Sequence, residues 1–172
     1  MKINKYLSFD ISLHKTLYYI NKHYSNTSLS YKSLIDILND NWLSTGYQSN
    51  YEESLFKSFA TTAMKKYSLN PLDRGCDIVL INKFITAKEG SKLKYAKIDK
   101  LHFLSNDQLE LIDYKSGKHL PPINKSFFTS KTLFTITSIK KKFGVYPDIF
   151  SLYYLRHGIK FSQEIPQIYT TI

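Results

Sequence analysis

The sequence predicts a mixed α/β domain in which a sheet follows an N-terminal helical segment. Apolar residues recur at helical spacing in three stretches before residue 70, and the period changes from 3.6 to 2 after Gly75. One further helical stretch, near residue 135, interrupts the strands. With 172 residues, 42% hydrophobic and 22% charged, the chain can bury one core. A single domain over 1–172 is expected, helical over 1–75 and a sheet core with one helix over 76–172.

The first helix is read from Phe9, Leu13, Leu17 and Ile20, with Ser8 placed to cap it and an end near residue 23. A second follows Ser30, with the stripe Leu34, Ile35, Leu38 and Trp42, and stops near Gly46. In the third, Asn50 can serve as cap and Glu52 and Glu53 suit the positive end. Its continuous face is Leu55, Phe56, Phe59, Ala60, Ala63, Met64 and Tyr67, and Pro71 and Gly75 close it. Strands are then expected over Cys76 to Thr86, Leu93 to Leu104 and Leu109 to Tyr114, the last two joined by the polar turn Ser105-Asn106-Asp107-Gln108. After a loop with Gly117 and Pro121-Pro122 comes a helix from Ser130 to Phe143, closed by Gly144. A strand from Ile149 to Leu155 and a last one beyond Gly158 complete the chain.

Several classes are excluded by composition. The longest aliphatic run is Ile78-Val79-Leu80-Ile81, far short of the ~18 apolar residues of a membrane span, and the opening MKINKYLSFDISLHK has no apolar signal core. No membrane association and a cytoplasmic location are expected. With one cysteine, Cys76, there can be no internal disulfide framework, four-cysteine zinc site or iron–sulfur cluster. The net charge is +10, and between Lys83 and Lys142 thirteen lysines face five acids, so +8 of it lies in about a third of the chain. A polyanionic partner is expected there. General enrichment in Lys, Asn, Ile and Tyr would produce the same balance, so charge by itself assigns no function.

Chemistry is suggested by the strand Leu109 to Lys115. Alternation places Leu109, Leu111, Asp113 and Lys115 on one face and Glu110, Ile112 and Tyr114 on the other. A carboxylate and a lysine at the end of a largely apolar run suit phosphodiester hydrolysis: the carboxylate holds a hard divalent cation and the ammonium orients water or offsets developing charge. Asp99, fourteen residues earlier on the neighbouring antiparallel strand, is placed to supply a second carboxylate. Taken alone, an Asp-x-Lys triplet is more often a surface ion pair.

Its surroundings change that balance. Ile112 to Lys118 reads IDYKSGK, which resembles the second motif, IDYKTGK, of the RecB-like family of PD-(D/E)XK nucleases. Ala96 to His102, AKIDKLH, resembles that family's GxIDRID with alanine for the glycine and His102 for the second aspartate. Trp42-Leu43-Ser44-Thr45-Gly46-Tyr47 and the closing strand Leu152 to Gly158 are similar to further family segments, so the likeness covers nearly the whole chain. It implies a restriction-endonuclease-like core, a mixed sheet flanked by helices, and a metal-dependent DNA nuclease, exonuclease-like and of low sequence specificity.

Carried over by position, Asp99 and Asp113 are metal carboxylates for Mg²⁺ or Mn²⁺, the Tyr114 backbone carbonyl and His14 are further ligands, and Lys115 is the catalytic lysine. Lys97, Lys100, Lys118 and Lys131 are expected on the nucleic acid, and a helicase or other recombination protein is an expected partner. The chain departs from the family where a glutamine and a tyrosine on the late helix are Lys131 and Thr135, and where an acid on the preceding strand falls near Asn82. Those departures sustain a rival expectation, a catalytically silent nucleic-acid-binding or scaffold subunit with the nuclease fold.

Overall fold

The computed structural model describes residues 3–25, 27–73, 77–89, 91–121 and 128–166. The expected strand start at Cys76 and Pro122 of the later loop lie outside these residues. Among the described residues the order is α1 (Lys5–His23), α2 (Tyr31–Asp40), α3 (Asn50–Leu69), β1 (Ile78–Glu89), β2 (Lys92–Phe103), β3 (Leu109–Lys115), α4 (Ser130–Phe143), β4 (Ile149–Tyr154) and β5 (Ile159–Glu164). The fold is mixed α/β with a five-stranded mixed sheet. Two compact units form: Met1–Gly75 with Tyr114–Leu120 and Tyr153–Lys160, and Cys76–Asp113 with Pro121–Leu152 and Phe161–Ile172. No helix among the described residues is long and apolar enough to cross a membrane.

In the helical unit, α1, α2 and α3 pack against one another. The stripe Phe9, Leu13, Leu17 and Ile20 is buried as periodicity requires. The helix starts four residues ahead of the expected Phe9, because Asn4 accepts from the Tyr6 and Leu7 N–H groups and is the cap. Ser8 instead donates to the Thr45 carbonyl, holding the loop that joins α2 to α3. α2 is capped by Ser30 but ends at Asp40, so Trp42 lies beyond it, stacked on Tyr47 with its Nε1 donating to Glu53 at 2.9 Å. Ser49 caps α3, one residue ahead of the expected Asn50, and accepts from the Glu52 N–H. Leu55, expected on the buried face of α3, is exposed, whereas Phe56, Ala60, Ala63, Met64 and Tyr67 are buried.

The sheet runs β1-β2-β3-β4-β5. β1 and β2 form a long antiparallel hairpin, and β2 pairs antiparallel with β3 from Phe103 opposite Leu109 to Lys100 opposite Ile112. β3 and β4 run parallel: the Asp148 N–H donates to the Leu109 carbonyl and the Leu155 N–H to the Lys115 carbonyl, both indices rising together. That sense requires a crossover, which α4 supplies, packing against β1 and β2. Gly144, with φ at +78°, ends α4 in the left-handed conformation.

Candidate functional site

In the sheet unit the pairing of β2 with β3 brings the two predicted carboxylates to neighbouring strands. Asp99 and Asp113 are the next residues on each strand beyond the last pair, Lys100 with Ile112. Alternation puts Lys97, Asp99 and Leu101 of β2 on the face that carries Leu111 and Asp113 of β3. Asp99 is only 9% exposed and its carboxylate is 2.7 Å from the Lys97 ammonium, while Asp113 is half-buried. On β1, Asn82 lies between the pairs Ile81/Lys100 and Lys83/Ile98 and adopts φ of +45°, a left-handed conformation that asparagine tolerates better than most residues. The departure noted in sequence at Asn82 therefore falls on the strand beside Asp99.

Lys115, two residues past Asp113 on β3, shares its face of the strand. Two carboxylates this near one another repel, and a cation between them would offset that repulsion. The donor chemistry fits: both are hard oxygen ligands, and Mg²⁺ commonly uses one or two protein carboxylates and completes its shell with water and phosphate oxygens. Among the described residues no three His, Cys, Asp or Glu side chains are grouped as a metal centre.

His14 belongs to the helical unit. Its Nε2 is 3.4 Å from Asp10 one turn earlier on α1, and its ring meets the edge of Tyr114 at 6.1 Å between centroids. Asp10 also accepts from the Ser116 hydroxyl at 2.5 Å, tying α1 to the serine of the IDYKSGK stretch. The Tyr114 ring is buried, its hydroxyl donates to Asp73, and the Asn21 amide donates to it at 3.3 Å. Burial first, and the Asp73 charge next, push the Tyr114 phenol well above the ordinary tyrosine range, so it stays protonated.

Of the four lysines expected on nucleic acid, Lys118 and Lys131 are exposed and Lys97 is engaged with Asp99. Lys100 is a correction: at 1% exposure it is closed off from any phosphate, because pairing with Ile112 turns it to the covered face of β2. Thr135, where the family carries tyrosine, is buried and donates to the Lys131 carbonyl inside its own helix.

Sequence reasoning missed a second polar cluster. His102 and Glu110 are directly opposed across β2 and β3, with the ring Nε2 2.7 Å from one Glu110 oxygen, and the Ser151 hydroxyl donates to the other. All three are buried. The signal was available in part, since Glu110 and Ile112 alternate onto the face opposite Asp113, but Ser151 comes from a strand forty residues away. No protein-family model matches the chain, and no curated protein matches it.

Proposed function

We propose that the chain is a metal-dependent DNA nuclease of the PD-(D/E)XK type. The observation that carries this reading is the placement of Asp99 and Asp113, each one residue past the last pair of two adjacent antiparallel strands, with Lys115 two residues further along β3. Asp99 and Asp113 would hold Mg²⁺ or Mn²⁺; the family resemblance alone adds the Tyr114 backbone carbonyl and His14 as further ligands. When bound, the cation supplies Lewis-acid stabilisation of the phosphate and lowers the pKa of water. Lys115 contributes a fixed positive charge, which orients the attacking water or offsets charge developing on the phosphorane. Exposed lysines, Lys118 and Lys131 among them, would neutralise backbone phosphates without reading sequence. A reducing cytoplasmic setting accords with the single cysteine, and a helicase or other recombination protein is the partner the family resemblance implies.

One observation favours the silent alternative: the Thr135 hydroxyl is spent within α4 and so replaces nothing the family's tyrosine would do at a substrate. The two readings separate on metal dependence. Purified protein incubated with end-labelled single- and double-stranded DNA, linear and circular, should cleave with Mg²⁺ or Mn²⁺ and not with EDTA. Binding without cleavage under every metal condition would establish the silent subunit.

A further inference from the structure

The half of the β1–β2 hairpin nearest its turn exposes a strip of large apolar side chains. Phe84 is 64% exposed, Tyr95 65% and Leu93 54%. The register explains why they stand together. Phe84 is opposite Lys97, Thr86 opposite Tyr95 and Lys88 opposite Leu93, so all six residues share one face. The intervening positions Ile85, Ala87 and Ala96 are buried, and α4 packs on these two strands.

Exposing two aromatic rings diagonal to each other on adjacent strands is costly for a sheet that needs only one covered face. The interleaved Lys88 gives the strip positive charge, in keeping with the +8 carried between residues 83 and 142, while Lys97 at its inner end is paired with Asp99. Following β2 on the same face, the residue after Lys97 is Asp99, roughly 13 Å from Tyr95 at ~3.3 Å per residue. Flat rings flanked by ammonium groups, on a track that ends at the acid pair, match the chemistry of unpaired nucleobases, whose π faces are open in a single strand and hidden in a duplex.

We propose that this face is a stacking platform for single-stranded DNA, with Phe84 and Tyr95 each receiving an unpaired base and the strand running along β2 towards Asp99. The direction of travel rests on the nuclease reading; the binding itself does not. Fluorescence anisotropy with a labelled oligothymidylate and a duplex of equal length, in EDTA so that nothing is cleaved, tests it. Phe84→Ala/Tyr95→Ala should weaken single-strand binding at least tenfold, as the loss of two stacked bases requires. It should leave duplex binding within about twofold, and Phe84→Trp/Tyr95→Trp should preserve the single-strand preference. Both positions are exposed, and an unchanged melting temperature confirms that each variant is folded.

Equal loss on both DNAs, no loss on either, or tighter binding of an RNA oligomer than of the DNA one would overturn the platform. So would a wild-type dimer that the alanine pair splits with single-strand affinity unchanged, which would give the face to a second copy of the chain. If wild-type protein cleaves with Mg²⁺ and the alanine pair binds normally, only the platform fails. If single-strand binding falls selectively and wild-type protein never cleaves, the nuclease reading fails and the platform stands.

Discussion

Asp113→Ala is expected to abolish metal-dependent cleavage while leaving DNA affinity equal or higher, because removing a carboxylate weakens metal binding yet lessens repulsion of phosphate. Cleavage assays beside anisotropy check both halves, and wild-type cleavage by the variant would remove the acid-pair assignment. Lys115→Ala should slow the chemical step by roughly a hundredfold or more with the metal titration unmoved, as for a charge acting mainly in the transition state. For His14→Ala, the metal concentration needed for half-maximal activity should rise, more with Mg²⁺ than with Mn²⁺, since Mn²⁺ accepts nitrogen donors more readily. An unchanged titration with a lowered melting temperature would leave His14 as a packing residue beside Asp10 and Tyr114. On the other face of β3, Glu110→Ala strands the buried His102 ring without its acceptor and leaves the Ser151 hydroxyl with Ser162 alone. Breaking such a buried cluster costs about 3 kcal/mol, readable as a shifted denaturant midpoint at unchanged slope.

At the scale of elements, the loop between α2 and α3 depends on one glycine. Gly46 has φ of +90°, and a Cβ there would lie 2.8 Å from the Asn4 carbonyl carbon. Asn4 is the cap of α1, so an added methyl would both strain the loop and push on the start of that helix. Gly46→Ala should therefore cost about 2–3 kcal/mol, combining left-handed strain with a backbone clash that no rotamer can relieve. Differential scanning calorimetry measures it. The same loop is pinned by the Leu43 N–H donating to Ser12 at 2.9 Å and by the Trp42–Tyr47 stack, so Trp42, Gly46 and Tyr47 shape it together.

For the molecule as a whole, buried phenols set a limit on the alkaline side. Burial first, then the Glu53 and Glu52 charges, push the Tyr47 phenol up to about 12, and burial raises Tyr153 further. Because the folded chain holds these protons longer than the unfolded one, their stabilisation is complete below the ordinary tyrosine value near 10. It is lost as pH rises from there through the folded values. Tyr47→Phe should flatten that alkaline loss, visible in melting temperature measured between about pH 9 and 12. Charge acts at the same scale: with +10 on the chain, DNA affinity should fall steeply with salt, at a log–log slope near −0.7 per phosphate neutralised on a single strand.

Periodicity and punctuation carry local information, and here they were enough for the helical stripes, the hairpin order, the αL end of α4 at Gly144 and the shared face of Asp113 and Lys115. These depend on residues within a few positions of one another, where a strand's alternation or a helix's turn allows one outcome. The caps at Asn4 and Ser49 escaped because several neighbouring polar residues can fill the role and packing chooses among them; Ser8 lost it to a bond with Thr45. Lys100 reads as a surface lysine until cross-strand pairing with Ile112 assigns it to the covered face. The His102–Glu110–Ser151 cluster and the exposed Phe84 and Tyr95 were likewise decided by register and by what α4 covers. The sequence by itself determined which elements form and how faces alternate along them, though not the placing of Leu55 or Trp42; only the tertiary structure decided which faces meet a neighbour, because burial is set by elements distant in the chain.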